Sequence, residues 1–474
     1  INRNTGSGNF AFRFSSYGDD MQIYMSNCTA YTDGVEAVFL GSNGNDMNGI
    51  IKNTLSIAPN NNDFILMGSG TLTLYNSASA DATAGSYGGS GNQTNRTFTF
   101  IDEANNDFHL ADSDIGAKNL GTNLSSDAVI PFSTDIDGAG RVAGRAWDIG
   151  ADEAPVQMYY SVGTNTGNLE LGSGTVTITN GNTATFSVAQ ADNIGVGDKI
   201  TYNTNVVAYI KGRTSSKVYA VQTATGGALA NGGAWTVDSI MRAFNSLVAS
   251  DSGSSNGSHL NTTNLVANNY WLNLACYKDG VDTYATSTTN TWFGYHASAS
   301  NMIKIYAPTE SSEVGTSQRH TGAAGTGYRY APSNSESTAQ SSLIMSSCPI
   351  WIEGIEIDGA NWTSKTGIAA ISLYYGFDPR GGSPSAVSVV KDCIIHGLHT
   401  PAGSGSQGIQ AIGHGTRGTL KILNNIIYDF SAPTTGWAEV HGVVIALPEP
   451  GAVYVYNNTV YNIHADNATS GRVY

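Results

Sequence analysis

The sequence predicts an all-β fold of stacked parallel coils, with a small antiparallel β domain and one short helix set between two blocks of coils. Three observations lead there. A strand-turn-strand phrase recurs near both ends of the chain. Between the recurrences lies a stretch of alternating Thr and apolar residues broken by Asn-Gly. Hydrophobic residues make up 40% of the 474 residues and charged residues only 12%, so a sizeable core is available while solubility rests on Asn, Ser, Thr and Gly.

The phrase is clearest in the C-terminal part. Val390 to Leu398, Ile422 to Phe430 and Val455 to Ile463 superimpose, placing Cys393, Asn425 and Asn458 in one column. The spacing is about 33 residues, a repeat period. Trp351 to Ile357 fits one row earlier, with Gly354 in the column. At the other end of the chain Ser26 to Tyr31, Ile51 to Ser56 and Leu74 to Ala78 place Cys28, Asn53 and Asn76 in the same column. A column of Asn at a tight turn lets each amide bond to the coils above and below and satisfies backbone groups that the bend would orphan. Joining Tyr474 back to Ile1 gives a plausible strand split by the termini, so Ile1, Val473 and Tyr474 are the expected assembly junction. A first residue of Ile rather than Met is expected of a processed or partial product.

The middle of the chain reads differently. Thr175 to Thr179 and Thr183 to Val188 flank Asn180-Gly181 as a hairpin, and short strands follow at Lys199 to Tyr202, Val206 to Ile210 and Lys217 to Val221. Val237, Ile240, Met241, Phe244, Leu247 and Val248 follow helical spacing after Thr236, predicting an amphipathic helix that caps a coil or packs on the β domain. Leu272 to Tyr277 and Met302 to Tyr306 read as the first coils beyond it, and Glu310 to Ser342 as loop. The expected organisation is 1–155, the closing part of the coiled stack; 156–234, the antiparallel domain; 235–250, the helix; and 251–474, the opening part of the stack.

The segment from Glu103 to Glu153, with Asp135-Ile-Asp-Gly138, Arg141 and Asp148-Ile-Gly-Ala-Asp-Glu153, resembles the final turn of secreted right-handed parallel β-helix proteins of the pectate-lyase-like class. The resemblance extends to residues 1–153 and about 265–474. It implies a right-handed parallel β-helix written in permuted order, a terminal turn pinned by an Arg-carboxylate pair, and an extracellular setting. It also brings polysaccharide lyases and hydrolases into consideration.

The residues themselves argue against catalysis. Glu353, Glu356 and Asp358 lie close together, with Lys391 and Asp392 one coil on, yet a solvated strand face accounts for them. The twelfth position counted from Asp135 is Ala146, which excludes an EF-hand loop. His396 takes a turn position held by Tyr428 and Tyr461 in other rows and reads as a stacking residue. No nucleophile motif or phosphate loop is present, and no catalytic, cofactor or metal residues are expected. Net charge of -15 without a Lys/Arg-rich face excludes nucleic acid, and no apolar run is long enough to span a membrane. Cys28, Cys276, Cys348 and Cys393 have neither disulfide-scaffold nor metal-ligand spacing. Asn-x-Ser/Thr sites at Asn92 and Asn256 are candidates for glycosylation if the chain is secreted.

These readings converge on an extracellular structural protomer that polymerises head to tail with identical subunits through stacking and strand complementation. The alternative is a secreted carbohydrate-active or carbohydrate-binding protein.

Overall fold

The computed structural model describes residues 9–111, 113–141, 146–283, 290–292, 294–332, 342–362, 368–375, 387–400, 405–413, 418–432, 439–446, 452–465 and 472–473. The chain is nearly all β, with several parallel sheets. It divides into two compact units, residues 1–155 with 266–269 and residues 156–265 with 270–474.

The first unit opens with rows of parallel strands. Phe12–Ser16 and Met21–Ser26 both pair with the long strand Val38–Lys52, which pairs in turn with Phe64–Tyr75. Short strands Thr29–Tyr31, Leu55–Ile57 and Ala78–Ser79 form a second parallel sheet. Each row therefore turns sharply after the first sheet, at Asn27, Asn53 and Asn76, and the side chains facing inward meet in one core of Met25, Ala30, Leu40, Met47, Ile51, Phe64 and Leu74. The outer face of the second sheet is covered by later residues of the same unit, Leu110, Ala117 and Ile149 packing on Leu55 and Ala78.

The second unit has three parallel sheets through which the chain passes in cyclic order. Sheet I holds seven strands, from Val156–Val162 and Tyr270–Cys276 to Thr419–Leu423 and Val453–Tyr456. Sheet II runs from Val281–Asp282 through Arg329–Tyr330, Glu356–Asp358, Ile394–His396 and Ile426–Ala432 to Thr459–Ala465. Sheet III runs from Asn290–Trp292 to Glu439–Ala446 and Arg472–Val473. Strands of one row bury Ile352, Ile357 and Ile371 in a core that continues through Val390, Ile395, Ile422, Ile427 and Phe430.

Three expectations are corrected here. Residues 156–234 are not one antiparallel domain, because Val156–Val162 pairs in parallel with Tyr270–Cys276 as the first strand of sheet I. The antiparallel part is a closed barrel of Thr175–Thr179, Thr183–Phe186, Val218–Gln222, Val206–Arg213, Lys199–Tyr202 and Gly232–Met241. The helix expected over 235–250 is strand up to Met241, and the helix itself is Leu247–Gly253, capped by Ser246, whose hydroxyl accepts from the Ala249 N–H. Inside the expected loop of 310–342, Arg329–Tyr330 is a strand of sheet II.

Candidate functional site

The turn between sheets I and II is the feature that repeats most regularly. In the second unit Gly354, Asp392, Asn424 and Asn457 occupy left-handed backbone, with φ of 70°, 57°, 58° and 55°. In the first unit Asn27, Asn53 and Asn76 do so, with φ of 49°, 47° and 47°. Asn and Asp tolerate this region better than other side chains, which explains their recurrence. The residue after each one is the rung. Asn425 Oδ1 accepts from the Cys393 N–H at 3.0 Å, while its Nδ2 donates to Asn458 Oδ1 and to the Val390 carbonyl, both at 2.9 Å.

This geometry corrects the predicted column. Cys393, Asn425 and Asn458 are equivalent, but Gly354 falls one residue out, level with Asp392, and the counterparts in the first unit are Cys28, Thr54 and Ser77. Strand pairing of Thr29 with Leu55, and of Leu55 with Ala78, fixes that register. Asn53 and Asn76 stand one residue earlier, beside Asn27, at the left-handed step. Asn53 Nδ2 donates to Asn27 Oδ1 at 3.1 Å and to the Thr122 carbonyl at 2.7 Å. Asn92 is a further rung, its Oδ1 accepting from the Ser77 N–H and its Nδ2 donating to the Leu74 carbonyl.

Two rows stand at the edge of their sheets among the described residues, one exposed and the other already buried, with Met25, Ala30 and Tyr31 at 6%, 0% and 5%. In the second unit Val455 and Val460 are 50% and 46% exposed, whereas Ile422 and Ile427, which pair with them, are fully buried. Tyr454 and Tyr461 beside them are half exposed. In the first unit Phe12–Ser16, Met21–Ser26 and Thr29–Tyr31 are the outer members of their sheets. Asn27 there is 6% exposed, and its Nδ2 is buried with no acceptor among the described residues.

The acidic residues form a more enclosed group than the sequence implies. Glu356 and Asp358 are 0% and 1% exposed. Arg329, one row before, pairs with Glu356 at 3.2 Å and with Asp358 more closely, and His396 Nε2 lies 3.0 Å from Glu356 Oε1. Burial pushes the Asp358 carboxyl up, but Arg329, the Ala360 N–H and His396 together hold it below its ordinary value. His396 stacks on Tyr428 at 4.9 Å and 9°, and Tyr428 on Tyr461 at 4.9 Å and 3°. Glu356, Asp358 and His396 have the donor set of a metal site, with Arg329 already supplying positive charge beside both carboxylates. Glu353 is held apart from them, between Lys304 and Lys391 at 3.1 and 2.9 Å.

Those lysines belong to the outer face of sheet I. Lys304, Trp351, Val389, Lys421 and Tyr454 stand in one column across successive strands. Lys304 and Lys391 both lie over the Trp351 ring, at 5.1 and 5.2 Å. A groove of about 380 Å³ runs beside this column, lined by Trp271, Met302, Trp351, Val389, Lys391 and Lys421.

In the first unit Arg141 pairs with Glu153 at 2.8 Å rather than with Asp148. Asp148 instead accepts from the Asn119 and Ala154 N–H groups. His109, Asp137 and Asp152 form a second group with metal-ligand chemistry, and His109 is raised to about 10 by its hydrogen bond to Asp137, opposed by burial and reinforced by Asp107.

Of the remaining expected residues, Asn256 is exposed on a loop, while the Asn92 side chain is engaged as a rung. Val473 pairs with Val440 in sheet III. Ile1 and Tyr474 lie outside the described residues. Sequence reasoning missed Asn27, whose signal was the shared pattern of Asn followed by a small polar residue at 27–28, 53–54 and 76–77. It also missed the Trp351 face, because the residues are far apart in sequence. No family model, no curated protein and no solved structure matches this chain.

Proposed function

We propose that the chain is a structural protomer of an extracellular fibre or surface layer, and that its parallel sheets are the coils of right-handed β-helix. Coil stacking joins identical subunits head to tail. The observation that carries this reading is the exposure of Val455 and Val460 at positions where the preceding row buries Ile422 and Ile427 completely. Apolar side chains on an interior column lose contact with water when another parallel row lies over them, and strand edges gain backbone hydrogen bonds at the same time. The Asn/Ser/Thr-rich, Lys-poor composition fits an extracellular setting.

Sedimentation velocity and electron microscopy across a concentration series test it. Concentration-dependent filaments are expected, and Val455→Asp with Val460→Asp abolishes them while leaving the fold intact. A chain that stays monomeric at every concentration contradicts the proposal.

A second reading, carbohydrate binding, is favoured by the groove beside Trp351. Indole faces stack on sugar rings, and Lys421, which has no ion-pair partner among the described residues, is suited to an acidic substituent. Titration of tryptophan fluorescence with neutral and acidic oligosaccharides tests this. Saturable binding weakened by Trp351→Ala is expected, and an unchanged signal with every sugar rejects it.

A further inference from the structure

The two edge rows match one another residue by residue. Numbering from the left-handed step aligns Asn457 with Asn27, and the rung Asn458 with Cys28. Before the step, Tyr454 and Val455 align with Tyr24 and Met25. Tyr454 and Tyr24 are both exposed, at 49% and 43%, while Val455 and Met25 stand on the interior columns of their units. After the step, Val460 aligns with Ala30 and Tyr461 with Tyr31. Ala30 is fully buried in the core of its unit, as Ile427 is in the other. Tyr31 packs on Phe108 and stands on the outward side of its strand, as Tyr461 does.

The orphaned amide of Asn27 supplies an independent observation. Within the first unit the next row reaches back to this one, since Asn53 Nδ2 donates to Asn27 Oδ1. Asn27 Nδ2, buried without an acceptor among the described residues, lacks the corresponding carbonyl oxygen on a row before it. A buried N–H₂ left unpaired is destabilising, so a row that supplies the acceptor is favoured. Asn457 has that oxygen on an exposed side chain at the matching position.

We infer that the row Val453 to Tyr461 of one copy docks on the row Ile23 to Tyr31 of a second copy, in the register that sets Asn457 against Asn27 and Tyr461 against Tyr31. This rests on the head-to-tail reading above and specifies its contact. Asn27 Nδ2 donates to Asn457 Oδ1. The Asn457 N–H donates to the Ser26 carbonyl, as the Asn424 N–H does to the Tyr456 carbonyl at 3.2 Å. The Thr29 N–H donates to the Asn458 carbonyl, as the Thr459 N–H does to the Asn425 carbonyl at 2.8 Å. Val455 and Tyr461, exposed in the single chain, come to lie beside Met25 and Tyr31. The same contact forms whether the second copy is a separate chain or another repeat of this sequence on one polypeptide.

The register is tested with the thiol already present at Cys28, which is free and partly exposed. Neighbouring rows lie about 4.8 Å apart, within the Cα separation a disulfide spans. Asn458→Cys brings a second thiol to the adjacent rung, and Cys393 shows that the rung accepts this side chain. Mild oxidation with copper phenanthroline is expected to give a non-reducing ladder of dimers, trimers and higher species. Thr459→Cys, one residue out of register, gives no ladder, and Asn458→Cys in a Cys28→Ser background gives none either. Filaments that form without the Asn458→Cys ladder overturn the register while the head-to-tail reading stands. Absence of both filaments and ladder removes the head-to-tail reading and the register with it. A disulfide confined to monomers overturns the second copy as the partner.

Discussion

Arg141 and Glu153 meet at 2.8 Å with side chains 0% and 9% exposed, and the same guanidinium also donates to the carbonyls of Asp148, Gly150 and Asp152. One side chain thus holds together the closing segment of the first unit, where a Lys could reach fewer of these acceptors. Arg141→Ala leaves a buried carboxylate and several carbonyls without their donor. A loss of about 3–5 kcal/mol in chemical denaturation is expected, with Arg141→Lys recovering part of it. Equal stability of wild type and Arg141→Ala would show that the pin is dispensable.

Asp63 predicts a pH dependence of the opposite sense to an ordinary surface carboxylate. Burial, then the charge of Asp81, raises it from 3.8 to about 7, against the pull of the Asp81, Ala58 and Ala80 backbone groups. The folded state therefore holds the proton more tightly than the unfolded chain. The resulting stabilisation is complete below the unfolded value and disappears as pH climbs through about 7. Thermal melts of the first unit should drop between pH 4 and pH 8, and Asp63→Asn should flatten that slope while lowering stability, because one of two accepting oxygens is lost.

The rung at Asn425 is 1% exposed and uses both ends of its amide. Asn425→Ala strands the Cys393 N–H and the Val390 carbonyl, for an expected loss of about 2–3 kcal/mol. Asn425→Asp is expected to be worse at neutral pH, since a carboxylate faces Val390 and Asn458 oxygens. Urea denaturation of the three proteins at pH 7 orders them, and a silent Asn425→Ala would contradict the ladder's role.

Arg329 pairs with two buried carboxylates, Glu356 and Asp358. Arg329→Gln removes the nearest compensating charge, so the Asp358 carboxyl should move upward from its depressed value. A depressed carboxylate contributes stability above its unfolded value that fades as pH falls through the folded one. The variant should therefore lose stability mainly at neutral pH and approach wild type in acid, as melts at pH 7 and pH 3 would reveal.

The recurring phrase was legible because apolar residues flank the turn at fixed offsets, and Val390, Ile422 and Val455 do align in register. In the first unit the alignment slipped by one, because Asn appears at the left-handed step in Asn27, Asn53 and Asn76 but at the rung in Asn425 and Asn458. Side-chain identity cannot separate two adjacent positions that both favour Asn. The false helix has a different cause. Val237 and Ile240 both face the barrel core although three residues apart, since pairing shifts between Thr201 with Ser239 and Tyr202 with Val237. A β-bulge at Asp238 inserts one residue and converts the two-residue period of a strand into an apparent helical one. The Arg329, Glu356, Asp358 and His396 group was only partly visible, because strands of different rows bring these residues together.

The barrel of Thr175–Thr179 through Gly232–Met241 closes on itself, so each of its six strands has a partner on both sides. A sheet without borders offers no template to a stray β segment. Although the chain carries a whole extra set of strands, that set cannot compete for the wrong neighbour during folding, and promiscuous edge-to-edge aggregation has fewer places to start.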